Sequence, residues 1–111
     1  MLNFDLETET KGSSALVRIR GDLDLQVVER VTDALTRLES DEPELLVIDL
    51  SHLSFMDSTG MAAIAAASIR AGEAGRRFAI VMPPGGVRQA IEITGLEEVI
   101  TTTDDLTSIY P

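Results

Sequence analysis

The residues able to do chemistry are concentrated in Asp57-Ser58-Thr59-Gly60. One carboxylate, two hydroxyls and a glycine in four consecutive positions offer an acceptor, an attackable oxygen and a helix start. With Asp57 as N-cap, Ser58 falls at N1 and Thr59 at N2, and the carboxylate accepts from free amides of the first turn. Met56 at N′ and Met61 at N4 have the spacing of a hydrophobic staple. The Ser58 hydroxyl then stands at the positive end of the helix dipole, where an anion is stabilised. The same four residues also make an ordinary N-cap with no further role, and the residues alone leave both readings open.

Catalysis by this stretch fails on its missing partners. A serine hydrolase needs Gly-x-Ser-x-Gly and a base, but Ser58 follows Met56-Asp57 and His52 is the single histidine. A phosphate-cradling loop needs Lys-Ser/Thr after its glycines, which Pro83-Pro84-Gly85-Gly86-Val87-Arg88 lacks. An aspartyl-phosphate site at Asp57 needs further carboxylates for Mg²⁺, yet no acidic pair follows the first expected strand, and the only lysine, Lys11, lies in a hairpin. No catalytic residue, cofactor or metal site is expected. Ser58 is left as a substrate, on which a phosphate adds about -1.5 to -2 charges and converts a docking surface.

The elements that position this stretch can be read along the chain. Leu2 to Glu7 and Leu16 to Arg20 alternate apolar and polar residues around the turn-like Lys11-Gly12-Ser13-Ser14, predicting a hairpin. Gly21 is expected to stop the second strand, and Asp22 or Asp24 to cap a helix whose Val28, Val31, Leu35 and Leu38 share one face to about Glu39. Leu45 to Leu50 reads as a third strand, parallel to the second, followed by a short polar connection to Asp57. The second helix runs from Ser58 to about Gly72, and its alanines indicate either close packing or helix propensity alone. Phe78 to Met82 predicts a fourth strand. A third helix carries Val87, Ala90 and Ile91 and ends at Gly95. Leu96 to Thr101 reads as a short strand or extended segment, and Thr103-Asp104-Asp105-Leu106 as the cap of a last helical turn. The fold class is α/β with a small mixed sheet, and residues 1–111 read as a single domain.

Composition bounds the partners. Nineteen acidic against nine basic residues give a formal charge of -10, which disfavours nucleic acid and anionic membrane surfaces. The acids are either a solvated surface or an acidic docking face for a basic partner. There is no cysteine for a disulfide, and the longest apolar run, Met61 to Ala67, is far short of the ~20 residues that span a bilayer. The start Met1 to Asp5 has no signal-like pattern, so a soluble, cytoplasmic protein is expected.

Leu53-Ser54-Phe55-Met56-Asp57-Ser58-Thr59-Gly60 resembles the signature of the STAS domain, in the form found in bacterial anti-sigma factor antagonists. Gly21-Asp22-Leu23-Asp24 is similar to the family's Gly-Glu-Leu/Ile-Asp, and Ile93-Thr94-Gly95-Leu96 to its Thr/Ser-Gly-Leu. The resemblance covers nearly the whole chain and implies a mixed sheet with helices packed largely on one side. It implies a non-enzymatic partner switch that binds an anti-sigma factor, also a serine protein kinase, when unphosphorylated. Phosphorylation on Ser58 releases it, and a serine phosphatase resets it. By the same resemblance, Asp22, Asp24, Asp57, Ser58, Thr59, Gly60 and Met61 form the partner-facing surface. Asp22 stands where glutamate is usual, and Met61-Ala62-Ala63-Ile64 where Leu-Gly-Val-Leu is common, which points to a particular partner. The competing expectation is a STAS structural or scaffold subunit of a lipid-transport or stress-signalling assembly, without a phospho-switch. The oligomeric state stays open.

Overall fold

The computed structural model describes residues 3–111. Its elements are β1 (Phe4–Lys11), β2 (Ser14–Leu23), α1 (Val28–Ser40), β3 (Leu45–Met56), α2 (Ser58–Ala74), β4 (Arg77–Val81), α3 (Gly85–Thr94) and β5 (Thr101–Thr103). The strands lie in the order β1-β2-β3-β4-β5, with β1 antiparallel to β2 and every other pair parallel. This is the expected α/β mixed sheet, with β2 and β3 as parallel neighbours. The Leu2 at which the first strand was expected to begin lies outside the described residues. No helix of the described residues is long and apolar enough to cross a membrane.

Alternation sorts the strands onto two faces. Ala15, Val17, Ile19 and Leu23 of β2 join Leu46, Ile48 and Leu50 of β3 and Ile80 of β4 in one buried cluster. That cluster is closed by Val31 and Leu35 of α1, Ile64 and Ala67 of α2 and Ile91 of α3, so the three helices cover this face. On the other face Leu16, Val47 and Val81 are covered by Leu106, Ile109 and Tyr110 of the C-terminal segment.

Four local expectations are corrected. β2 runs through Gly21 to Leu23 instead of stopping there. Gly21 takes φ +84°, and a side chain there would collide with the Asn3 backbone, so the glycine permits a close approach while the strand continues. β3 continues from Leu50 to Met56 where a polar connection was expected. Its pairing with β2 slips between Arg18 and Arg20 and again between Gly21 and Asp22, each slip adding one residue on the β3 side. The core-facing residues are therefore Leu46, Ile48, Leu50, Leu53 and Met56, a spacing of two that becomes three. That spacing hides the strand from a search for period two.

Neither Asp22 nor Asp24 caps α1. The helix begins after Val27, with no side-chain cap, because the Asp24 carboxylate is engaged in a tighter turn with the Gln26 amide at 3.0 Å. Finally, Leu96 to Thr101 is not one extended segment. Leu96–Glu98 forms a 3-10 turn, and the strand follows at Thr101–Thr103, one position beyond Ile100, which enters the core. The expected last turn does form at Leu106–Ser108, with Asp105 accepting from the Thr107 amide.

Tyr110 is buried on the C-terminal side of the sheet, and among the described residues its hydroxyl has no hydrogen-bond partner. Burial pushes its pKa up, aided by the nearby Glu9. An unpaired buried hydroxyl costs about 1–3 kcal/mol. Tyr110→Phe keeps the ring and deletes that cost. It is expected to leave stability unchanged or raise it by up to about 1 kcal/mol, measured by urea denaturation. A loss of more than that would show that the hydroxyl is satisfied in solution.

Candidate functional site

Asp57 is the N-cap of α2, in extended conformation with φ -94° and ψ -176°. Its Oδ1 accepts from the Gly60 amide at 3.0 Å and from the Thr59 hydroxyl at 2.6 Å. Its Oδ2 accepts from the Leu25 amide at 3.1 Å, across 32 positions of sequence. The Asp57 amide in turn donates to the Leu23 carbonyl at 3.2 Å. One side chain thus holds the start of α2 against the β2–α1 loop. The Thr59 hydroxyl is the main reason the Asp57 carboxyl titrates below its ordinary value of 3.8, followed by the Gly60 amide. Burial opposes the shift, and the Leu25 amide adds to it.

Ser58 is exposed one position further on. The neighbouring Asp57 is poorly suited to activate its hydroxyl: both carboxylate oxygens are engaged, and the group is a weakened proton acceptor. Among the described residues no group of three His, Cys, Asp or Glu side chains is arranged to hold a metal ion. The arrangement suits an oxygen that receives a group from outside.

The other residues of the expected partner-facing surface are placed unequally. Asp24 precedes Leu25 in the loop bound by Asp57, and its carbonyl accepts from the Val27 and Val28 amides. Asp22 is half-buried on β2, where its Oδ1 lies 3.4 Å from Asn3 Nδ2. Thr59 and Met61 are half-buried, and Gly60 is buried. Gly60 acts from below: a methyl group there would lie 2.8 Å from Leu23 Cγ and 2.9 Å from Met56 Cγ.

Sequence reasoning missed Leu25, 71% exposed beside the Asp57 bond, and Phe55, 49% exposed at the end of β3. It also missed an apolar groove of about 500 Å³ between α2 and α3, which opens beside Ser58. Met61, Ala62 and Ala65 line it on one side, with Ala90, Thr94 and Leu96 opposite. The alanines of α2 were the available signal, since small side chains leave a depression wherever nothing larger covers them. A second hollow of about 580 Å³, lined by Phe55, Gly85 and Val87, shares Met56 and Ala90 with the first.

Comparison with known proteins places this geometry. The model of the STAS domain matches residues 5–109. The anti-sigma-F factor antagonist RsfB of Mycobacterium tuberculosis is 31% identical over 99 residues, covering 86% of this chain and 80% of that protein. The anti-sigma-B factor antagonist of Staphylococcus aureus is 25% identical over 99 residues, covering 89% and 92%. The crystal structure of an anti-sigma factor antagonist from Mycobacterium paratuberculosis superposes with a TM-score of 0.85 at 25% identity, covering 95% of this chain and 89% of that one.

The site generates two predictions. Gly60→Ala forces its new methyl on Leu23, which is fully buried, and overpacking there is expected to cost about 1–3 kcal/mol. Gly72→Ala, in the same helix with nothing within 4 Å, is expected to stabilise by about 0.5–1 kcal/mol, and thermal unfolding of the pair distinguishes the two effects. The second concerns pH. Because the folded Asp57 carboxyl titrates below 3.8 and the unfolded one does not, its contribution is complete above that value and is lost as pH falls through the lower folded pKa. The difference in urea midpoint between wild type and Asp57→Asn is expected to hold constant down to about pH 5 and to close below about pH 4. A difference that persists unchanged into strong acid would remove the carboxylate's charge from the explanation.

Proposed function

The chain belongs to the STAS domain family, in the company of the anti-sigma factor antagonists, and we propose that it is itself a partner switch operated by phosphorylation of Ser58. Unmodified, it binds an anti-sigma factor that is also a serine protein kinase and so frees a sigma factor for transcription. The kinase transfers the γ-phosphoryl group of ATP to Ser58 Oγ, ADP leaves, and the modified protein is released. A serine phosphatase restores the hydroxyl.

The observation that carries this reading is an exposed hydroxyl at N1 of α2 beside a carboxylate that is already fully occupied. Asp57 positions the turn but is poorly suited to take the Ser58 proton, because hydrogen bonds lower its basicity. The proton acceptor for phosphoryl transfer therefore belongs to the kinase. Phosphate on Oγ puts a dianion next to Asp57, whose carboxylate already takes the Gly60 amide. The helix dipole favours the new charge, while the neighbouring carboxylate repels it. The helix start thereby exchanges a neutral hydroxyl for a dianion. Asp22, Asp24, Thr59, Gly60 and Met61 complete the surface in this reading, Gly60 by fixing its shape and the others from its rim.

Incubation with ATP and the anti-sigma kinase of the same organism is expected to add a single phosphate, mapped by mass spectrometry to Ser58. Ser58→Ala abolishes it, and Ser58→Asp weakens binding to the unmodified partner by about tenfold or more in calorimetry. Phosphate found on another residue, or full affinity in the Ser58→Asp variant, would refute the switch.

A further inference from the structure

The two faces of the sheet are closed by different means. Three helices cover the face that carries the main core, whereas on the other Leu106, Ile109 and Tyr110 pack over Leu16, Leu45, Val47 and Val81. This C-terminal segment leaves β5 at one edge of the sheet and ends beside Lys11 of β1 at the other, so it straps the sheet from edge to edge. Its two ends are held unequally. At the root, the Thr103 hydroxyl oxygen accepts from the Asp105 amide at 3.1 Å and lies 2.9 Å from the Ser108 hydroxyl. Beyond Ser108, the Ile109 and Tyr110 amides both donate to the Leu106 carbonyl, within the segment itself. Among the described residues no backbone hydrogen bond joins residues 106–111 to the sheet. At the tip the polar tie comes from Lys11, whose ammonium donates to the Pro111 carbonyl at 3.4 Å and stands 5.7 Å from the centre of the Tyr110 ring. Glu9, 3.5 Å from the same nitrogen, holds it in place.

Two flaws weaken the closed position. The Tyr110 hydroxyl is buried without a partner among the described residues, and it is hydrated once the tip lifts. Beside Ile109 a hollow of about 120 Å³, lined also by Leu45, Arg77, Phe78 and Thr101, leaves part of that side chain without packing contacts. A segment with few apolar contacts, no backbone bond to the body and an orphaned polar group belongs to the low end of the range of local stabilities within a fold. We infer that residues 106–111 are a strap that opens while the rest of the fold stays intact, and that the positive charge of Lys11 is the latch that holds it shut.

Opening uncovers Leu16, Val47 and Val81, an apolar strip on the face opposite the helices. Lys11 is the chain's only lysine, so a modification that neutralises lysine side chains, such as acetylation, acts on the latch. The device works apart from Ser58, which starts a helix on the other face.

Tyr110 is the chain's only tyrosine. Meta-fluorotyrosine incorporated into the full chain therefore places one fluorine, at the tip of the strap, and ¹⁹F saturation-transfer NMR reads its closed and open forms separately. A minor, solvent-exposed resonance in exchange with the buried one is expected, while the ¹⁵N–¹H signals of β3 and α2 stay in place. Lys11→Gln, and acetyl-lysine incorporated at position 11, are expected to raise the open population about two- to fivefold, the equivalent of one exposed cation–π contact. Lys11→Arg, which keeps the charge, is expected to leave it near the wild-type level. A single resonance without exchange, in the wild type and in both neutral variants, overturns the strap. Equal open populations with glutamine, acetyl-lysine and arginine at position 11 overturn the latch. A rise in the open form that is matched by loss of the β3 signals shows the whole fold opening at once and overturns both.

Discussion

The structure around the candidate site depends on the two oxygens of one carboxylate. Asp57 satisfies the Gly60 amide and the Thr59 hydroxyl with one oxygen and the Leu25 amide with the other. The first two bonds start a helix, and the third anchors that start to the β2–α1 loop. Such a carboxylate is held ionised by its donors, which makes it a structural anion rather than a base. Ser58 inherits its position from this arrangement. It is exposed at the start of α2, beside a carboxylate whose oxygens are both engaged.

The sheet serves the same end by unusual means. β3 reaches Met56, immediately before the cap, only because two added residues let it follow β2 as far as Leu23. Each added residue resets which side chains face the helices, so Leu53 and Met56 point into the core and Ser54 and Phe55 face outward. Gly60 then lets the first turn of α2 sit directly on Leu23 and Met56. The site is a strand end and a helix start pressed together, with little slack between them.

The acidic balance of the chain acquires a location in this picture. On the β1–β2 face much of it is paired, with Arg20 Nη1 at 2.6 Å from Glu7 and 3.1 Å from Asp5, and Arg18 at 3.5 Å from the buried Asp49. The exposed Arg20 pairs add little to stability, but together with the Arg18 pair they leave that face nearly neutral. On α2 and α3 the two arginines pair with Glu39 and Asp104, and Glu73 and Glu92 are exposed. Charge is thus distributed by which face the arginines pair on.

By itself the sequence determined what depends on neighbours a few residues apart. The helix start at Asp57, the glycine at the end of α3, the order of elements and the apolar stripe of α1 all follow from contacts within one or two turns, which composition and spacing record directly. The motif that carries the candidate phosphosite was legible for the same reason. Only the tertiary structure decided the second bond of Asp57, because Leu25 reaches it from 32 positions away. It also decided the extension of β3, since an added residue exists only relative to a paired strand, and the absence of a side-chain cap on α1, since Asp24 found a closer donor. The groove beside Ser58 belongs with these. Its alanines were visible in the chain, but whether small residues bring two helices together or leave space between them is settled by where the second helix lies.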